Sequence, residues 1–287
     1  MKFLTMDQMS QRRPEASFGE SSGGKLVSGM VFLGLTLAAL LAALGVIHQK
    51  KIPSDWLYIV AGVCGLLSVV SFASYRASLR PTNWLVRDQG GAIYIKFRSF
   101  RNDKMPTGDI QIVELQRSEI EWMRRANIRK LIESMGEKGG HAVLILNEIW
   151  LDLRLASGQT DELANRLREE WLKKGYQSGL VTHKSQDYPI TIWEEGVVRL
   201  RWKSQYGRID PGIDPTLKYF ARWIKTAEPV SETLDATRSG LKKLGEAEQT
   251  AVLRRLAQTN PMEARVAATM ALGISHSDAK KLIGEEN

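Results

Sequence analysis

Residues 26–47, LVSGMVFLGLTLAALLAALGVI, run for 22 positions without a charged side chain, and residues 56–75, WLYIVAGVCGLLSVVSFASY, run for another 20. A bilayer core is crossed by about 20 apolar residues at ~1.5 Å rise each, so either run is long enough to span it as a helix. Only eight residues, HQKKIPSD at 48–55, separate the two. Helices joined so closely turn straight back on each other, which predicts a transmembrane hairpin over residues 26–75. A purely soluble protein is excluded on this basis, and two spans are too few for one chain to enclose a transport pathway. The first run also exceeds the roughly 7–15 residue core of a cleaved signal peptide.

Charge sets the orientation. Arg12, Arg13 and Lys25 precede the first run, Arg76, Arg80 and Arg87 follow the second, and only Lys50 and Lys51 lie between them. The positive-inside rule then puts both flanks in the cytoplasm. Trp56, Tyr58 and Tyr75 suit the aromatic belts at the two interfaces. Gly34, Ala38 and Ala42, with Ala61 and Gly65, recur at helical spacing; they predict close packing within the hairpin and offer a stripe for a homo-oligomer.

The formal charge of +8 over 287 residues is uneven. Residues 1–75 carry 6 basic and 4 acidic side chains (+2), residues 76–227 carry 26 and 19 (+7), and residues 228–287 carry 8 and 9 (−1). The excess follows the membrane, where each Lys or Arg near anionic headgroups gains about 1 kcal/mol. Cys64 is the single cysteine and His48, His141, His183 and His276 are widely spaced, so no disulfide and no metal site is expected, and no cofactor is called for. Residues 19–25, GESSGGK, satisfy the G-x-x-x-x-G-K part of a nucleotide loop. Leu26 stands where a hydroxyl should hold magnesium, no strand is expected before the glycines, and the helix that follows is the span itself. Residues 1–25 therefore read as a flexible tail without a nucleotide.

From Pro81 the period changes to alternation. Ile93, Ile95 and Phe97 share one face of a half-buried strand, and Trp84–Arg87, Ile110–Leu115, Ala142–Leu146 and Trp150–Leu155 read as further strands. Thr160 to Lys174 is an amphipathic helix. Ser118 and Glu121 would cap a helix through Ile128, Leu131, Ile132 and Met135, whereas Ile120 and Trp122 alternate as a strand; the expectation is a strand first and a helix or loop afterward. Pro189–Trp193 and Val197–Trp202 form a hairpin with Gly196 in its turn. A Pro- and Gly-rich bend at 210–215 then leads into a helix over 216–225.

Several strands followed by one helix resemble a pleckstrin-homology-like (PH-like) domain. The blocks Trp84-Leu85-Val86-Arg87, Phe97 to Asn102, Glu119-Ile120, Trp150-Leu151-Asp152-Leu153 and Glu162-Leu163 look like those of uncharacterised bacterial membrane proteins that place such a domain after two spans. The resemblance covers roughly residues 30–225 and implies an architecture, not a reaction. The expected fold is thus a membrane α-helical hairpin, an α+β cytoplasmic domain (81–227) of antiparallel β with a C-terminal helix, and a small all-α module (228–287).

In that last segment, residues 246–258 place Val252, Leu253 and Leu256 on one helix face. Asn260-Pro261 starts a second helix ending at Gly273, and Ser275 with Asp278 starts a third. Residues 260–273 resemble a HEAT-type helix, residues 267–283 a ubiquitin-associated-type module, and the same spacing also fits a helix-turn-helix.

Two sets of contacts follow. Lys96, Arg98, Arg101 and Lys104, with Arg124 and Arg125, are the candidates for an anionic lipid. Arg265, Met270, His276, Lys280 and Lys281 are the candidates for partner docking. Glu285 and Glu286, beside the third helix, oppose nucleic acid. Asp88, Glu148 and Asp152 are expected to face solvent, as is the strand face bearing Arg199 and Arg201, and no nucleophile, carboxylate pair or metal cluster is apparent locally. The leading expectation is a non-catalytic, membrane-anchored adaptor or regulatory protein that holds a protein partner. The alternatives are a membrane-tethered DNA-binding regulator and a lipid-sensing module.

Overall fold

The structure is a computed structural model that describes residues 1–9, 13–45, 53–79, 82–98, 107–135, 141–172, 177–178, 181–182, 189–204 and 207–284. The chain forms two compact units, Glu20–Asn83 and the combination of Met1–Gly19 with Trp84–Asn287.

The first unit is the helix pair α1 (Gly23–Ala43) and α2 (Ser54–Ser78), both long and apolar enough to cross a membrane. Their large side chains point outward, Val27 and Leu66 being 61% and 66% exposed, so they are not the core helices of a soluble domain. The seam between them differs from the expected stripe. Ala39, Ala61 and Ser68 are buried, the Ser68 hydroxyl donates to Gly29 O at 3.1 Å, and a Cβ on Gly29 would meet the Phe72 ring at 3.1 Å. Gly65 packs on Thr36, but Gly34 and Ala38 face outward. The contact follows Gly29, Thr36 and Ala39, the roughly 3.5-residue period on which two helices stay in register.

The second unit is built on a sheet. Its strands are β1 (Lys2–Thr5), β2 (Ala16–Glu20), β3 (Val86–Gln89), β4 (Ala92–Lys96), β5 (Gln111–Gln116), β6 (Ile120–Met135) and β7 (His141–Leu155). After α3 (Asp161–Leu172) come the small ribbon β8 (Gln177–Ser178) and β9 (Val181–Thr182), then β10 (Ile190–Glu194), β11 (Val197–Ser204) and β12 (Gly207–Asp210). Next are α4 (Ile213–Phe220), β13 (Lys225–Thr226), β14 (Val230–Ala236), α5 (Arg238–Leu241), α6 (Glu246–Thr259), α7 (Pro261–Leu272) and α8 (His276–Ile283). The main sheet runs β1-β5-β4-β3-β2-β12-β11-β7-β6-β13, with β10 beside β11 and β14 beside β6. Most of the strand pairs are antiparallel, but β13 and β14 lie parallel to β6. Two long apolar helices, a large mixed sheet and C-terminal helices make the α+β chain that the hydrophobic patterning implied.

Several expectations are corrected. Residues 1–25 are not simply a flexible tail: β1 pairs with β5 from Lys2↔Glu114 to Thr5↔Gln111, and β2 pairs with β3. Alternation explains this, since Phe3 packs on the main core and Leu4 on a second cluster across the sheet. That second cluster, with Met9, Trp84, Tyr94 and Ile112, covers the other face of β4, so β4 is buried on both faces rather than one. Residues 120–135 are one continuous strand without a helix, because β7 and β14 supply ladder partners along it. The cap in this region is made by Gln116, whose N–H donates to Glu119 Oε2 at 2.7 Å, not by Ser118.

Residues 228–287 are likewise not a separate helical module. They open with β14, registered on β6 from Val230↔Ala126 to Ala236↔Ile132. Their helices then bury Leu241, Leu253, Leu256, Ala267 and Ala279 in one cluster with Ala126, Ile128, Trp150 and Trp193 of the sheet. The helix ends themselves follow the sequence signals. Asn260 Oδ1 accepts from Met262 N–H at 3.1 Å, Gly273 takes φ +69°, and the Ser275 hydroxyl accepts from Asp278 N–H at 3.1 Å. Gly196 turns the β10–β11 hairpin at φ +74° as expected.

Candidate interaction surfaces

The strand pairing determines where the charges go. Asp152 on β7 stands directly across from Arg124 on β6 and Arg199 on β11. All three side chains point to one face: Arg199 Nε and Nη2 donate to the carboxylate at 2.5 and 2.8 Å, and Arg124 Nε donates at 3.1 Å. Asp152 is 0% exposed and Arg199 1%, with the Arg199 guanidinium 3.8 Å from the Trp193 ring. Lys130, also fully buried, bonds Glu148 on β7 and Glu263 on α7, each at 3.0 Å. Buried Asp88 receives Arg117 at 2.7 Å and the Tyr219 hydroxyl at 2.7 Å. Burial and this carboxylate together push the Tyr219 phenol well above its ordinary range. The expectation that Asp88, Glu148, Asp152 and the Arg199 face meet solvent is therefore corrected. Alternation places a residue on a face, and here both faces are covered.

The same burial redraws the lipid-contact set. Lys96 is 2% exposed beside the Trp84 ring, which also holds Arg87 at 4.6 Å. Burial, and then the charge of Arg87, pulls the Lys96 ammonium down to about 7. Arg98 is buried on Glu170, at 2.5 Å. Arg124 is held by Asp152 and the Trp122 ring, and Arg125 by Asp214 at 3.2 Å and Asn127 at 2.9 Å. Arg101 and Lys104 lie outside the described residues. Lys96 and Arg98 are internal groups rather than headgroup ligands, since a charge inside a domain requires partners there. An exposed basic set that the sequence reading overlooked comprises Lys218, Arg222 and Lys225 around Trp223, which is 43% exposed.

The docking candidates stand differently. His276, at the start of α8, is exposed and lies 3.4 Å from Arg265 Nη1 of α7. Lys281 is exposed, Lys280 and Met270 are half-buried, and Met270 O accepts from Arg238 at 3.1 Å. Sequence reasoning missed the apolar component of this surface. Met262 and Val266, one turn apart on α7, are 59% and 40% exposed. The signal was available, because α7 buries its alanines (Ala264, Ala267, Ala268 and Ala271) and therefore leaves larger residues on the outer side.

At the glycine-rich segment, β2 extends through Gly19 and Glu20, so a strand does precede the glycines. Lys25 pairs with Glu20 at 3.2 Å, and α1 begins at Gly23. Among the described residues no group of three or more His, Cys, Asp or Glu side chains could hold a metal ion. No family model, curated protein or solved structure matches this chain.

Proposed function

We propose that this chain is a membrane-anchored, non-catalytic adaptor or regulatory protein. On this proposal α1 and α2 cross a bacterial inner membrane with both flanks cytoplasmic, and the sheet unit, PH-like by its resemblance, receives a partner protein there. The observation that carries the proposal is the occurrence, in one chain, of two outward-apolar helices and an exposed α7 surface, where Met262 and Val266 lie on the helix of half-buried Arg265, itself 3.4 Å from exposed His276 of α8. An apolar centre with a polar rim is the composition of a protein contact.

The test is affinity purification of the full chain from membranes in mild detergent, beside a Met262→Asp/Val266→Asp variant. Both positions are exposed, so the variant retains the fold and its melting temperature. Proteins that copurify with the parent chain and fall at least tenfold with the variant support the adaptor. Equal recovery from both overturns this surface as the docking site. Exposed Trp223 with Lys218, Arg222 and Lys225 favours the lipid reading as the second; its expected sign is binding to anionic vesicles that salt weakens.

A further inference from the structure

Among the described residues, the hairpin of β6 and β7 leaves one edge of the sheet without a neighbouring strand. β11 accompanies β7 only from Ile149 to Arg154, while β14 covers the far side of β6 as far as Ile132. Along residues 141–148, no strand among the described residues lies against the outer edge of β7. Native proteins blunt such edges with charged side chains, prolines or bulges. Residues 141–147 read His-Ala-Val-Leu-Ile-Leu-Asn, with no Lys, Arg, Asp, Glu or Pro. The register with β6 shifts only near Ile120 and Trp122, far from this end. Val143, Leu144 and Ile145 are 54%, 45% and 47% exposed. Being consecutive, they project to both faces, so a strand added at this edge would give each of them a cross-strand neighbour on its own face.

We propose that this edge pairs with the same edge of a second copy, antiparallel about a two-fold axis at Leu144, so that two sheets become one. The sequence is its own complement about that point: Leu144 meets Leu144, Val143 meets Ile145, and Ala142 meets Leu146. The five central residues thus make only apolar pairs, with His141 facing Asn147 at the ends, and no like charges are opposed, although each chain carries +8 in total. A seven-residue strand pair is smaller than the ~1,200 Å² of a stable soluble interface. Confinement in one bilayer, which rests on the two-span proposal above, supplies the effective concentration that such a contact lacks.

The experiment places single cysteines at 143, 144 or 145 of the full chain in a Cys64→Ser background and oxidises membranes mildly. Directly opposed positions have Cβ atoms about 4.5–5.5 Å apart, near disulfide range, and diagonal ones are about 7–8 Å apart. Leu144→Cys is expected to cross-link to itself at least fivefold more than Val143→Cys or Ile145→Cys alone. Coexpressed Val143→Cys and Ile145→Cys chains are expected to cross-link to each other as well as Leu144→Cys does. Adding Val143→Lys and Ile145→Lys to Leu144→Cys removes the dimer. Equal cross-linking at all three sites, none at any, or an adduct with a foreign protein each overturns the proposal. Sedimentation of the same samples with membranes separates the two readings. A chain that stays in the supernatant overturns the two-span proposal, and its cross-linking pattern there still decides the edge.

Discussion

Asp152 is the single carboxylate between two arginines that reach it from opposite neighbouring strands, and one of those arginines is fully buried. Removing the carboxylate leaves Arg199 charged and desolvated. Asp152→Ala is therefore expected to cost about 3–5 kcal/mol, read as a lower denaturation midpoint in detergent. Arg125→Ala, at a pair whose Asp214 is 72% exposed, is expected to cost under ~1 kcal/mol. Lys96 gives a pH signature. Its ammonium is lowered from 10.5 to about 7 in the folded chain, so between these values the unfolded chain binds the extra proton. Stability relative to Lys96→Met should then rise with pH from about 7 toward 10.5 and stay level below 7. Denaturation midpoints of the two proteins that run parallel over this window would disprove the assignment. None of these roles was legible in the sequence, because a charge on an alternating strand looks the same whether water or a second cluster covers it.

At the level of elements, local signals were read well where they are local. The α7 and α8 caps, the Gly196 turn and the α3 helix all rest on residues within a few positions of one another. The misread elements depend on distant partners. β1 and β2 exist because β5 and β3 lie beside them, and the second half of β6 remains a strand because β14, about a hundred residues later, lies along it. β14 also carries a consequence for truncation. Deleting residues 228–287 removes a seven-residue ladder from β6, the Glu263 partner of buried Lys130, and the helices that cover Ala126, Ile128 and Trp150. The remaining chain is expected to become protease-sensitive within the sheet and to lose its cooperative melt. An unchanged melting temperature would mean that the helices are a separate domain after all.

For the molecule as a whole, hydropathy made the two long apolar helices legible at once, since a run of about 20 apolar residues is long enough to cross a bilayer. Function was less legible, because an adaptor surface is defined by what it meets. Orientation can still be argued from charge alone. The six basic residues flanking the hairpin face two in its connection, and moving the former across a bilayer is the costlier choice. Cys64, the only native cysteine, lies within α2 and is half-buried, which makes it a natural control. In intact cells a membrane-impermeant maleimide is expected to leave Cys64 unlabelled and to label a cysteine introduced at Gln49. At Gln258, on exposed α6, a cysteine should be labelled only after the membrane is opened. Labelling at Gln258 but not at Gln49 in intact cells would invert the topology and put the whole sheet unit outside. Cytoplasmic partners would then be excluded, and the α7–α8 surface would have to meet something on the other side.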